Sequence, residues 1–228
     1  MMRVQRAGER YRGGHGAGIE TRHAFSFSGY YDPENVRFGS LVACNEERLA
    51  PGAGFAEHPH RDLEIVTWVV EGELTHEDSA GHRTVVRPGD VQRLSAGGGV
   101  RHSERNEGRE PLTFVQMWLA PVAGFTSAGA GAEPAYEVVR GPAAPEPYAL
   151  ERADAALGVW RPAAGEGTEL PVAPWVYAHV VRGEVELAGE TLTAGDAARI
   201  TGARGERARA LTDAELLVWA MRAEPSYG

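Results

Sequence analysis

Glu71-Gly72-Glu73-Leu74 is followed by Pro88-Gly89-Asp90 and, without a break, by Val91-Gln92-Arg93-Leu94-Ser95. The same order returns in the second half as Arg182-Gly183-Glu184-Val185, then Ala194-Gly195-Asp196, then Ala197-Ala198-Arg199-Ile200-Thr201. Each copy reads as a hairpin turn, a strand, a Gly-Asp turn and a further strand. Short apolar runs cut by Gly, Pro and Asp surround both. Phe38–Ala43, Ile65–Val70, Thr84–Arg87 and Thr113–Leu119 accompany the first, and Val159–Arg161, Trp175–Val181, Val185–Leu187 and Glu215–Met221 the second. Strands of that length and spacing predict an all-β protein with one β-barrel present twice in the chain. Long amphipathic stretches are scarce, and Tyr148–Ala156 is the best short helix candidate.

Between the copies, Ala120–Pro147 is rich in Ala, Gly and Pro. It includes Thr126-Ser127-Ala128-Gly129-Ala130-Gly131 and Gly141-Pro142-Ala143-Ala144-Pro145, a composition that suits a surface connection. The expected division is a first domain over residues 1–125, a linker over 126–147 and a second domain over 148–228.

Composition removes several chemistries. All 23 basic residues are arginine, so no Schiff-base lysine and no phosphate-loop lysine exists. The single cysteine, Cys44, excludes an intramolecular disulfide and any multi-thiolate metal site, and reads as a small buried apolar residue. A net charge of −9 disfavours nucleic acid as a partner. Apolar runs such as Ile65–Val70 fall far short of the roughly 20 residues that cross a bilayer. Met1-Met2-Arg3-Val4-Gln5-Arg6 lacks the apolar stretch of a signal peptide. A soluble, cytoplasmic protein with no membrane partner is expected.

Histidine carries the chemistry. Of 8 in the chain, His58, His60, His76, His82 and His102 fall within one stretch of the first copy. In Glu57-His58-Pro59-His60 the two imidazoles occupy alternate positions of an extended strand, so they share a face. The same rule places His102 and Glu104 together in Val100-Arg101-His102-Ser103-Glu104. Two such strands facing across a barrel would bring three imidazoles and one carboxylate to a single point. That donor set suits a divalent first-row metal and leaves two octahedral positions open for dioxygen and a chelating substrate. Fe(II) is the first choice, and Ni, Cu, Co, Mn and Zn suit the same donors.

Other candidates receive plainer readings. Glu64, on the strand parity of His60, is either a fifth ligand or a residue that orients an imidazole from outside, and the second is preferred. His76 and His82, flanking the Asp78-Ser79-Ala80-Gly81 turn, are expected to face solvent. His15 and His23 show no partner pattern, and His179 reads as a packed strand residue. Ala96-Gly97-Gly98-Gly99 is a tight turn that lets the His102 strand enter the barrel. Apolar and aromatic walls are expected around the site, and Phe55 and Trp118 lie near the right strands.

Gly52, five residues on His58-Pro59-His60, and three further on Glu64 form a pattern similar to the first cupin motif, with one extra residue before Gly72. Gly99-Val100-Arg101-His102, with Asn106 beyond, resembles the end of the second. More narrowly, the chain resembles the pirin family. The resemblance rests on His23-Ala24-Phe25-Ser26-Phe27 with Tyr30-Tyr31-Asp32-Pro33, on His58 through Thr67, and on Ser95 through Glu104.

The resemblance implies a bicupin, two tandem jelly-roll (double-stranded β-helix) barrels. Iron would lie in the first, held by His58, His60, His102 and Glu104, with Glu64 outside the ligand set. The second barrel would be a degenerate cupin without metal. Within the chain, superposing Gly72 on Gly183 carries the first histidine pair onto Glu169 and Pro171. Superposing Asp90 on Asp196 carries the second pair onto Ala208 and Ala210, and these four residues could not rebuild the site. The implied activity is that of a quercetin 2,3-dioxygenase, acting on a small planar flavonol with dioxygen and releasing carbon monoxide, with Glu104 as the base. The alternative is a non-enzymatic, iron-dependent regulator that binds a protein partner. A zinc-type hydrolase or an isomerase on the same barrel is a third reading.

Overall fold

A computed structural model of the protein describes residues 1–16, 18–122, 133–140 and 147–223, without the side chain of His15. Most of the expected linker therefore lies outside the described residues. The chain divides into two compact units. The first comprises Tyr11–Arg37 and Leu41–Ala143, and the second comprises Met1–Arg10, Phe38–Ser40 and Ala144–Glu224. The opening strand, β1 (Met2–Gln5), belongs to the second unit.

The first unit contains β2 (Tyr11–Gly16), β3 (Ile19–His23), β4 (Leu41–Leu49), β5 (Gly54–His60), β6 (Glu64–Glu71) and β7 (Leu74–Asp78). It continues with β8 (Arg83–Val86), β9 (Val91–Ser95), β10 (Val100–Arg105), β11 (Leu112–Leu119) and β12 (Ala135–Val139). A seven-stranded sheet runs β12-β9-β6-β11-β4-β3-β2, and a four-stranded sheet runs β5-β10-β7-β8. β12 falls within the stretch read as a linker. Its residues Tyr136 and Val138 alternate with exposed neighbours, a strand signal concealed by the Ala, Gly and Pro on either side.

In the second unit, β13 (Tyr148–Leu150), β14 (Ala155–Trp160), β16 (Val172–Arg182), β19 (Ala197–Arg204) and β21 (Glu215–Met221) join β1 in the order β1-β19-β16-β21-β14-β13. The strands β15 (Gly167–Glu169), β17 (Glu184–Leu187), β18 (Glu190–Thr193) and β20 (Arg207–Ala210) form the order β15-β20-β17-β18. Adding ten to each label of the first four-stranded sheet yields the second. The run β9-β6-β11-β4 likewise becomes β19-β16-β21-β14, so the protein is an all-β bicupin with one barrel plan used twice.

The two barrels share the geometry of their turns. Gly72 and Gly183 adopt φ of 80° and 78°, a left-handed backbone that favours glycine. A Cβ at Gly72 would lie 2.6 Å from the Pro111 carbonyl oxygen, and one at Gly183 would meet the Asp213 carbonyl. At the Gly-Asp turns, the Asp90 carboxylate accepts a bond from the Arg87 amide at 3.0 Å, and Asp196 accepts one from the Thr193 amide at 3.1 Å. An arginine clasps each: Arg140 reaches Asp90 at 2.7 Å, and Arg6 reaches Asp196 at 3.0 Å. Apolar strand faces supply the cores. Val69, Leu74, Val86, Leu112 and Phe114 pack in the first barrel, and Val176, Ala178, Val180, Leu216 and Val218 pack in the second. Each fully buried Leu, Val or Phe contributes about 1.5–3 kcal/mol.

Tyr148–Ala156 is not an α-helix. Asp154, at φ 44° and ψ 52°, closes a 3-10 turn over Glu151–Ala153 and sends the chain back, so Leu150 pairs with Ala155 and Tyr148 with Leu157. The expected strand Phe38–Ala43 begins at Leu41, after a turn at Gly39-Ser40 in which Gly39 has φ 55°. No helix among the described residues is long and apolar enough to cross a membrane.

Candidate metal centre

His58 and His60 lie on β5, and His102 and Glu104 on β10. These strands do not face each other across the barrel as expected; they are hydrogen-bonded antiparallel neighbours. The register sets His102 opposite His58 and Val100 opposite His60. Directly opposed side chains on one sheet face meet at about 5 Å, so adjacency gathers the imidazoles as well as opposition would. Ring centroids are 4.5 Å apart for His58 and His102, 4.8 Å for His58 and His60, and 5.0 Å for His60 and His102. A register shift between His102 and Glu104 sets Glu104 opposite Phe55, a bulge of the kind that re-aims a side chain. The turn before β10 is glycine-built as expected, with Gly97 and Gly99 at φ of 51° and 142°.

The nitrogens are prepared for a cation. His58 Nδ1 donates to the Ala56 carbonyl at 2.8 Å, which leaves Nε2 as its lone pair. Nε2 of His60 and both ring nitrogens of His102 are buried without a hydrogen-bond partner. One donor atom from each of the three rings lies within 4.8 Å of the others. Burial, reinforced by the neighbouring imidazoles, pushes His60 down to about 4. Burial does the same for His102, against the pull of Glu104. Both rings are therefore neutral at pH 7 and offer lone pairs. Glu104 is buried, and each of its oxygens accepts an amide hydrogen: Oε1 from Gln92 at 3.1 Å and Oε2 from Gln116 at 2.7 Å. Tyr136 donates to Gln92 Oε1 at 3.1 Å and Trp118 to Gln116 Oε1 at 3.0 Å, so both amides are held. Unpartnered imidazole nitrogens beside an oriented carboxylate fit a divalent first-row ion.

A cavity of about 510 Å³ opens on this group, with Phe27, Phe55, Trp118, Glu47, His58 and Glu104 in its walls. Phe55 and Trp118, near the right strands in the sequence, both line it. Trp118 meets the His60 ring edge-on at 4.8 Å and Phe27 at 4.9 Å. Glu64 is buried and accepts the Ser95 hydroxyl at 2.5 Å.

Five residues differ from the sequence reading or escape it. His76 does not face solvent; it is wholly buried, stacked on Tyr136 at 4.4 Å, with its ring centroid 5.4 Å from that of His102. It shares the strand parity of Leu74, which could have revealed it. His23 has partners: it bonds Asn45 at 3.0 Å and stacks on Phe27 at 5.0 Å. Gln92 and Gln116 carried no signal as isolated amides. Glu47 falls on the inward parity of Leu41, Ala43, Asn45 and Leu49, and accepts the Thr21 hydroxyl at 2.5 Å. Burial, with the charge of Glu104 adding to it, pushes Glu47 up to about 8, so a neutral acid stands in the cavity wall at pH 7. His82 is exposed and His179 is a buried strand residue, both as expected. Cys44 is buried.

In the second barrel, Ala208 and Ala210 lie in the apolar core, with Ala208 opposite Thr168 and Glu169 opposite Arg207. Among the described residues, the groups able to hold a metal lie in the first barrel alone.

A family model described as Pirin matches residues 4–119, and one described as quercetinase C-terminal cupin domain matches residues 151–221. A putative quercetin 2,3-dioxygenase of Mycobacterium tuberculosis is 40% identical over 218 residues, covering 90% of this chain and 89% of its own. A quercetin 2,3-dioxygenase of Escherichia coli K12 is 42% identical over 122 residues, covering 53% of this chain and 52% of its own. The bacterial pirin YhhW of Escherichia coli, solved in complex with nickel(II), matches with a TM-score of 0.87 and 30% identity over 99% of this chain and 100% of its own. Matched along both barrels and across nearly its whole length, the chain belongs to the pirin family.

Proposed function

We propose that the chain is a metal-dependent dioxygenase that opens the heterocycle of a flavonol such as quercetin. His58, His60, His102 and Glu104 hold one divalent ion in this reading, Fe(II) in the first instance. The observation that carries it is the clustering of the His58, His60 and His102 donor atoms, with the buried Glu104 carboxylate close to His102, beside an aromatic-walled cavity that His58 and Glu104 line. When bound, the ion supplies a Lewis acid that lowers the pKa of a substrate hydroxyl. Glu104 takes that proton, a general-base role worth about 10²–10⁴ in rate. Gln92 and Gln116 hold its carboxylate in place before substrate arrives. Phe27, Phe55 and Trp118 align the planar rings. In the net reaction both atoms of dioxygen enter the ring-opened product, and one ring carbon leaves as carbon monoxide. Glu64, tied to Ser95, stays outside the ligand set, and the second barrel is structural.

The nickel(II) complex of the Escherichia coli relative supports a site open to several first-row ions. Elemental analysis of the purified protein, followed by oxygen uptake with quercetin after reloading with Fe, Ni, Cu, Co, Mn and Zn in turn, tests the reading. Uptake above the apo-protein with at least one ion is expected. If no ion supports it, the regulator takes the enzyme's place, and turnover without oxygen would point to a hydrolase or isomerase.

A further inference from the structure

His58 and His102 differ in one respect. His58 has an acceptor, the Ala56 carbonyl, for its Nδ1, whereas His102 has none for either nitrogen. A metal-ligating imidazole ordinarily donates its second N–H to a carboxylate, a carbonyl or water, and that bond sets tautomer and ring angle. Once one nitrogen of His102 binds an ion, the other carries a proton and needs an acceptor.

His76 has the matching lone pair. Its Nε2 donates to Asp78 Oδ2 at 3.2 Å, and Asp78 is kept ionised: burial opposes this, but bonds from His76 and from the His82 amide and ring outweigh it. In the neutral ring Nδ1 is then unprotonated, and it is buried with no partner. One nitrogen of His76 lies within 4.8 Å of one of His102. Two further contacts hold the ring in place. His76 stacks on Tyr136 at an interplanar angle of 11°, and Asp78 is anchored by the Ala80 and His82 amides at 2.9 and 3.1 Å.

We infer that Asp78 and His76 form an outer relay that positions His102, with His76 Nδ1 accepting the N–H of His102 that does not face the ion. This rests on the ligand set proposed above but not on the substrate. His76 is a positioning residue, and its effect is read in metal affinity rather than turnover.

His76→Phe keeps the ring and its stacking on Tyr136 but removes the nitrogen. Chelator competition with Ni(II) should show binding weakened by about 10–100-fold, with the apo-protein folded but melting lower, because the buried Asp78 loses one donor. His76→Gln, whose amide can donate to Asp78 and accept from His102, should recover most of the affinity. The Cu(II) electron paramagnetic resonance spectrum should shift in the Phe variant and return in the Gln variant. A folded His76→Phe protein that binds Ni(II) as tightly as wild type would overturn the relay while leaving the ligand set intact. Wild-type protein that binds no ion would overturn both. Should the Phe variant not fold, ¹⁵N shifts of His76 in Zn(II)-loaded wild-type protein decide the matter: a bare Nδ1 with protonated Nε2 supports the relay, and a protonated Nδ1 overturns it.

Discussion

At the scale of the residue, two carboxylates share one cavity and differ in the hydrogen bonds that reach them. Glu104 receives two amide hydrogens, whereas Glu47 receives a hydroxyl hydrogen and sits in the field of Glu104. Replacing Glu104 by Gln keeps the shape and removes the base, and quercetin-dependent oxygen uptake should fall at least about 10²-fold, with weaker metal binding. Full uptake in that variant would remove Glu104 from the proton transfer. Glu47 makes a separate prediction. Its folded pKa lies near 8, above its unfolded value, so the native state holds a proton that the unfolded chain releases. Stability of the apo-protein therefore declines as pH rises from the ordinary carboxylate range through about 8. Glu47→Gln should flatten that decline, so the melting-temperature difference between variant and wild type should move in the variant's favour between pH 5 and pH 9. A constant difference would mean that Glu47 ionises normally. Period-2 parity pairs His58 with His60 and His102 with Glu104 because each pair lies within one strand. His76 and Glu47 obey the same parity but stand alone on their strands, so only the packed barrel shows what they face.

At the scale of the element, the repeated hairpin turn does the organising. Gly72 combines a positive φ with backbone contact, whereas Gly81 has a positive φ and open space around its Cα. Gly81→Ala should show the left-handed strain alone, about 1 kcal/mol. Gly72→Ala should cost at least about 1 kcal/mol more, because the Pro111 carbonyl must move. Urea unfolding of the two variants measures the difference, and equal costs would mean that the turn tolerates a side chain. Turn residues made these hairpins legible, since a Gly-Asp turn between apolar runs has few alternatives. Strand adjacency was less so. The spacing of the histidine pairs carries no information on whether β5 and β10 oppose or adjoin, which depends on how the sheet closes. Tyr148–Ala156 misled for a related reason: a short apolar run reads alike in both periods until Asp154 turns it back.

At the scale of the whole molecule, duplication separates architecture from chemistry. Both barrels have the strand order, the left-handed glycines and the arginine-clasped aspartates, and among the described residues the groups able to hold a metal lie in the first. Metal titration should therefore saturate at one ion per chain, and His58→Ala with His60→Ala should abolish high-affinity binding without shifting the weight to the second barrel. A second ion of comparable affinity would contradict the reading of Ala208 and Ala210 as replacements for ligands. In the proposed function this one site opens a flavonol ring with dioxygen. Its most direct test is the simultaneous measurement of oxygen consumed and carbon monoxide released when metal-loaded protein meets quercetin. Equal amounts of the two, lost together in His102→Ala, are predicted. Oxygen consumption without carbon monoxide, or release that persists in His102→Ala, would contradict it.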